Sequence, residues 1–214
     1  RAALAAHPDL RHDSASLSDR DLALALGIES AALEGWLFPD TYLFTRGSSE
    51  RALIARSHRA MVDHVEREWA ARADGIAVKT RYEFLILASI IEKETGRATD
   101  RGPISAVFHN RLRLGMRLQT DPTVIYGLGA AFDGNLRRRD LQADTPFNTY
   151  TRSGLPPTPI AMPGLGSLRA ALRPEPSRAL FFVARGDGTS EFSETLADHN
   201  RAVRKYQMGG APRR

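Results

Sequence analysis

The sequence predicts an α+β fold that is helix-rich, with a small antiparallel sheet and long Pro/Gly-rich loops forming a cleft. Three observations carry this. Apolar residues recur at helical spacing over three long stretches and several short ones, a hairpin pattern lies near the C-terminal end, and a central region dense in proline and glycine is threaded with aromatic anchors. The 214 residues suffice to enclose a sizeable core, and 42% hydrophobic with 26% charged residues is an ordinary globular composition.

Taken in order, Ser18 to Gly27 is expected as a short helix, with Ser18 as N-cap, Asp19 and Asp21 in the first turn and Gly27 past the end. LEGWLFPDTYLF follows, in which Pro39 and Asp40 place a turn between two aromatic halves. From Ser49 to Ala73, Leu53, Ile54, Met61, Val65 and Trp69 describe one face of a long amphipathic helix that Gly75 ends. Tyr82 to Thr95 reads as a helix apolar nearly all round, and such a helix is buried. A third long helix is expected from near Asp100 to Gly115, with Pro103 in its opening turns.

Between Arg117 and Gly166 helical periodicity weakens while prolines accumulate, with Val124, Ile125, Tyr126, Phe132, Phe147, Tyr150 and Ile160 interspersed. Loops this long in a compact domain are usually functional, so this is read as a structured, site-forming region. Ser167 is expected to cap a short helix. ALFFVARGDGTSEFSETL reads as a hairpin turning at Gly186-Asp187-Gly188, a last helix starts near Thr195, and GGAPRR is expected to fray.

Several function classes lose support. Thirty Lys+Arg against 25 Asp+Glu give a net charge of +5, which admits polyanionic partners. The densest basic run, Arg137-Arg138-Arg139, is followed by Asp140 and has no interleaved aromatics, so nucleic acid is not an expected partner. With no cysteine, and no histidine pair at i, i+4, no metal site is expected. GxSxG, Walker and GxGxxG patterns are all missing. No apolar run approaches the roughly 18 residues that span a bilayer, and because the chain begins on Arg1 it is read as a soluble part of something longer.

The carboxylates of LASIIEKETG remain. Glu92 and Glu94 close an apolar helix on different sides of it, and at least one is expected to be half-buried. Desolvation destabilises an ionised carboxylate and raises its pKa toward the range a general acid needs, and a glycosidic oxygen is a leaving group that needs such an acid. The plain alternative is that both glutamates pair with Lys93, Arg97 or a neighbouring helix. Two loop motifs accompany them. In MRLQTDPTVIYGLG, Gln119, Thr120 and Asp121 are candidate contacts, although Asp121 before Pro122 also suits a helix start. In TPFNTYTRSGLPPTPIAMPG, Asn148, Thr149 and Tyr150 offer the amide, hydroxyl and aromatic groups that bind sugars.

Read together, LEGWLFPDTYLF, LASIIEKETG, VFHNRLRLGMRLQTDPTVIYGLG, FNTYTRSGLPPTPIAMPG and ALFFVARGDGTSEFSETLADHN closely resemble the YceG-like family, in order from about Leu33 to Val203. The resemblance implies residues 1–33 as the remnant of a preceding LysM-like subdomain and linker, and 34–214 as the catalytic domain. It implies a cofactor-free lytic transglycosylase that cleaves the MurNAc to GlcNAc linkage within peptidoglycan strands without water, leaving 1,6-anhydro-MurNAc ends and so trimming or terminating nascent strands. Glu92, the first glutamate of the EKE motif, is then the expected acid and base. Glu94, Gln119, Thr120, Asp121, Asn148, Thr149 and Tyr150 are the expected substrate-binding residues. The resemblance further implies a periplasmic location, an N-terminal membrane anchor outside this chain, and association with peptidoglycan synthases. A non-catalytic peptidoglycan-binding module is the competing reading, in which Glu92 is merely a buried pair.

Overall fold

The computed structural model describes residues 1–28 and 32–208; the expected fraying of GGAPRR lies outside them. In chain order the elements are α1 (Ala2–Ala5), β1 (Leu10–Arg11), α2 (Asp19–Ala25), β2 (Ser48–Ser49), α3 (Glu50–Ala70), α4 (Arg81–Glu94), α5 (Ala98–Arg113), α6 (Asp121–Leu128), α7 (Arg138–Gln142), α8 (Leu165–Leu172), β3 (Phe181–Ala184), β4 (Ser190–Ser193) and α9 (Leu196–Val203). The architecture is α+β, with helices packed around a central helix and two small two-stranded sheets beside them.

At the centre lies α4. Thr80 caps it by accepting from the Glu83 amide, and every residue from Phe84 to Ile91 is buried. It packs against α3, α5, α6 and α8, so an all-round apolar sequence is matched by an all-round protein environment. Each of its large side chains contributes about 1.5–3 kcal/mol relative to exposure. Ser89, the one polar residue in that run, donates to Ile86 O at 2.7 Å and accepts from the Ile160 amide at 2.9 Å. Its buried hydroxyl therefore pins the proline-rich loop to the central helix.

A smaller apolar cluster of Leu22, Ala23, Ile28, Leu33 and Ile54 joins α2 to α3. The parallel pair β1–β2, Leu10 opposite Ser48 and Arg11 opposite Ser49, ties the N-terminal segment to the start of α3. Two-residue strands leave no periodicity to read, and the sequence pattern does not anticipate them. The LEGW segment meets the proline loop closely: a Cβ on Gly35, whose φ is +83°, would lie 2.5 Å from Pro159, so only glycine fits there.

At the C-terminal end, β3 and β4 form the expected hairpin, Phe181 opposite Ser193 through Ala184 opposite Ser190. Gly186 and Gly188 in its turn both have positive φ. Thr195 caps α9 by accepting from the Asp198 amide. The central region is more helical than its composition suggests, since α6 and α7 lie within it. Ser167 does not cap α8; Gly164 stands at the N-cap, and the serine hydroxyl is engaged by Glu92. Among the described residues no helix is long and apolar enough to cross a membrane.

Candidate active site

The two glutamates that end α4 lie two residues apart, about 200° around the helix, and meet different neighbours. Glu92 turns to the start of α8, where its Oε2 accepts from the Gly164 amide at 3.1 Å and from the Ser167 hydroxyl at 2.6 Å. A carboxylate in this position satisfies donors at a helix N-terminus and complements its dipole. Glu94 turns the other way, toward the segment entering α6, and accepts from the Thr120 hydroxyl at 2.7 Å. Burial raises its pKa above the ordinary carboxylate range. The Thr120 hydrogen bond opposes that shift, the Asp121 charge adds to it, and Arg111 opposes it.

The segment before α6 is shaped to present these groups. Thr120 is the N-cap residue and Asp121 the first helical residue, followed by Pro122; no side chain caps this end, because the Thr120 hydroxyl is committed to Glu94. Gln119 has φ +50°, the only positive value at a non-glycine among the described residues. Its amide donates to Thr149 O at 3.1 Å, and its side-chain oxygen accepts from Arg111 at 3.4 Å. Arg111 is itself buried. Its Nε donates to Leu180 O at 2.7 Å and its Nη1 to Leu118 O at 2.8 Å, fastening the bend to the C-terminal hairpin.

Behind the bend, Thr120, Thr123 and Thr149 form a buried hydroxyl cluster. The Thr120 amide donates to Thr149 Oγ1 at 3.1 Å, and Thr123 and Thr149 hydroxyls meet at 2.9 Å. Asn148 is fully buried, donates to the carbonyls of Asp140, Leu141 and Ala143, and accepts from the Tyr150 amide at 2.8 Å. Its amide is consumed in shaping the loop. Asn148 and Thr149, expected as glycan contacts, are both buried, and their side-chain polar atoms are partnered within the protein. Thr120 is buried as well and reaches the site only through Glu94. Tyr150, by contrast, extends its hydroxyl to Asp121 Oδ1 at 2.5 Å; burial, then the Asp121 carboxylate, pushes its pKa up.

Glu94, Gln119, Asp121 and Tyr150 line one cavity of about 610 Å³, together with Arg111, Phe181 and the face of α9 that carries His199. Glu92 is not among its lining residues. Arg111, Phe181, His199 and Asn200 were not among the site residues expected from the sequence. An arginine inside an amphipathic helix and a His-Asn pair look like ordinary surface, and only the return of the hairpin and α9 onto the end of α4 places them opposite Glu94. Among the described residues no group of three or more His, Asp or Glu could hold a metal ion. The arrangement can supply a proton from a desolvated carboxyl group inside a polar, half-open cavity.

A family model described as the YceG-like family matches residues 3–205. A Bacillus subtilis (strain 168) protein named endolytic murein transglycosylase is 39% identical over 174 residues, covering 81% of this chain and 48% of that protein. One of the same name from Streptococcus pneumoniae serotype 2 is 31% identical over 180 residues, 81% of this chain and 32% of that protein. The crystal structure of a yceG-like protein from Listeria monocytogenes superposes with a TM-score of 0.69 at 41% identity, over 79% of this chain and 55% of that one. The chain thus spans about half or less of the length of these curated relatives.

Proposed function

The chain belongs to the YceG-like family, and we propose that it is the catalytic part of an endolytic murein transglycosylase, with Glu94 rather than Glu92 as its acid and base. The observation that carries this reading is Glu94 itself: half-buried, held at 2.7 Å by Thr120, with its pKa raised by burial, and facing the cavity that Gln119, Asp121 and Tyr150 also line. Glu92 accepts two hydrogen bonds at the start of α8 and is spent on packing. The acid and base role expected of Glu92 is thus proposed for Glu94 instead.

In the proposed reaction protonated Glu94 gives its proton to the oxygen joining MurNAc C1 to GlcNAc, and the C1–O bond breaks. The resulting carboxylate then takes the proton of the MurNAc 6-hydroxyl as that oxygen bonds to C1. The anhydro ring closes, and the carboxyl group is again protonated. No water is consumed, so one carboxyl group serves both steps, unlike the two-carboxylate arrangement of most glycosidases. The Thr120 hydrogen bond holds the carboxylate formed midway. Asp121, fixed by the Tyr150 hydroxyl, places negative charge at the cavity where positive charge develops on C1. Such an enzyme acts where murein lies, outside the cytoplasmic membrane. Trimming or terminating nascent strands beside the peptidoglycan synthases is the role that best fits endolytic cleavage.

The test is mass analysis of murein strands incubated with the chain and with Glu94→Gln. Expected are anhydro-MurNAc ends from the former, and a loss of about 10²–10⁴-fold with the latter. Reducing ends, heavier by one water, would make it a hydrolase. Strands bound but uncut would make it a binding module.

A further inference from the structure

The cavity has a second wall that the proposed chemistry does not use. Leu196, His199, Asn200 and Val203 line it from α9, at i, i+3, i+4 and i+7, so one continuous face of that helix looks across at Glu94, Gln119 and Asp121. The His199 ring stacks on Phe181, with centroids 5.2 Å apart and planes at 22°.

The nitrogens of His199 stand in different surroundings. Nδ1 is buried and has no hydrogen-bond partner among the described residues. Nε2 has no partner among the described residues and is not one of the buried unpaired atoms, which leaves it as the nitrogen that faces the cavity. Burial, with Arg111 nearby, lowers the pKa of the ring below its ordinary value, so it is neutral at neutral pH and carries a single N–H. A proton on Nδ1 would be a buried donor with no acceptor, the costlier of the two orphans. The assigned tautomer therefore carries its proton on Nε2, and the cavity is offered a neutral donor beside an apolar surface formed by Phe181 and the exposed Leu196.

A neutral donor flanked by apolar surface matches one recurrent group of an N-acetylhexosamine strand better than any hydroxyl: the acetamido group, with a carbonyl oxygen and a methyl. We infer that His199 is a specificity-determining residue that donates from Nε2 to the acetamido carbonyl of a strand sugar, while Phe181 and Leu196 take up the methyl. This rests on the cavity being the glycan site, as proposed above.

The experiment measures binding of peptide-free murein strands, N-acetylated and chemically de-N-acetylated, to the uncleaving Glu94→Gln chain, alone and combined with His199→Phe or His199→Gln. Phenylalanine keeps the stack on Phe181 and removes the donor; glutamine places an amide N–H near the position of Nε2. Expected is a preference for acetylated strands that falls roughly threefold to tenfold with His199→Phe, the worth of one neutral hydrogen bond, and is largely kept with His199→Gln. An unchanged preference with His199→Phe would overturn the inference. So would a uniform loss with both variants on both kinds of strand, which is the mark of a structural role. Cleavage by the unaltered chain, measured in parallel, separates this outcome from failure of the functional reading. If the chain cuts strands yet shows no acetyl preference, the transglycosylase stands and the role of His199 does not.

Discussion

The Ser167 hydroxyl donates to Glu92 Oε2 at 2.6 Å, across the junction where the end of the central helix meets the start of α8. That contact gives Glu92 a structural task and makes the EKE pair separable by mutation. Glu92→Ala is expected to destabilise the chain by about 1–3 kcal/mol, because two donors lose their acceptor, while the protein that stays folded still cuts strands. Glu94→Gln is expected to do the reverse: activity is lost, and stability at neutral pH does not fall, since a desolvated carboxyl group is replaced by a neutral amide. Denaturant unfolding and product mass on both variants check this, and loss of cleavage with a well-folded Glu92→Gln would restore the original assignment.

The raised pKa of Glu94 sets a sign for the pH profile. An acid works in its protonated form, so kcat/KM is expected to decline as pH rises through that pKa. Asp121 adds to the shift by repulsion. Removing its charge in Asp121→Asn is expected to move this decline to lower pH. The same shift has a stability sign: the folded state holds the proton more tightly than the unfolded, so this group favours folding at low pH, an advantage lost as pH rises through the folded pKa. A pH series of initial rates on the two proteins decides the matter.

Gln119 holds a left-handed backbone conformation that costs a non-glycine residue of order 1 kcal/mol. Gln119→Gly is expected to relieve up to about 1 kcal/mol of that strain and yet to lower turnover by about tenfold, because the amide lining the cavity is gone. Thermal unfolding together with strand cleavage would show the opposed changes. A glycine variant neither more stable nor less active would mean that the bend carries no functional strain.

His109 is buried, with Nδ1 accepting from the Ala77 amide at 2.9 Å and Nε2 2.9 Å from Ala171 O, an arrangement suited to the neutral ring. Burial lowers its pKa. The unfolded state therefore binds the proton more readily. The contribution of His109 is fully present above the ordinary histidine value near 6.5, and is lost as pH falls from there toward the lower folded value. Urea unfolding at pH 7.5 and pH 5.5 should show a drop in the parent that is smaller in His109→Gln; equal drops would place the pH sensitivity elsewhere.

Much of the scaffold was legible from residue order. The all-round apolar run from Phe84 to Ile91 could only be a buried helix, the glycines of the 186–188 turn called for a hairpin, and Ser18 and Thr195 sit where the first and last of the helix starts were expected. The cap of α8 was misread. Ser167 has the chemistry of a cap, but its partner Glu92 lies 75 residues earlier in the chain, beyond the reach of any local pattern. Residue type alone could not show that Asn148 and Thr149 brace the loop from within, since sugar-binding groups and loop-bracing groups are the same groups, told apart by burial.

What the sequence by itself determined is the three long helices and the C-terminal hairpin, the family resemblance, and that Glu92 and Glu94 must face opposite ways, because helical geometry alone turns two residues by about 200°. Which of those two faces meets a cavity was decided by tertiary structure. The start of α8 covers one side with donors that engage Glu92, whereas the strained bend at Gln119, the hairpin and α9 leave the other side half-open around Glu94. Desolvation, and with it the shifted acidity that the proposed chemistry needs, depends on what packs around a carboxyl group, which is not written at its own position in the chain.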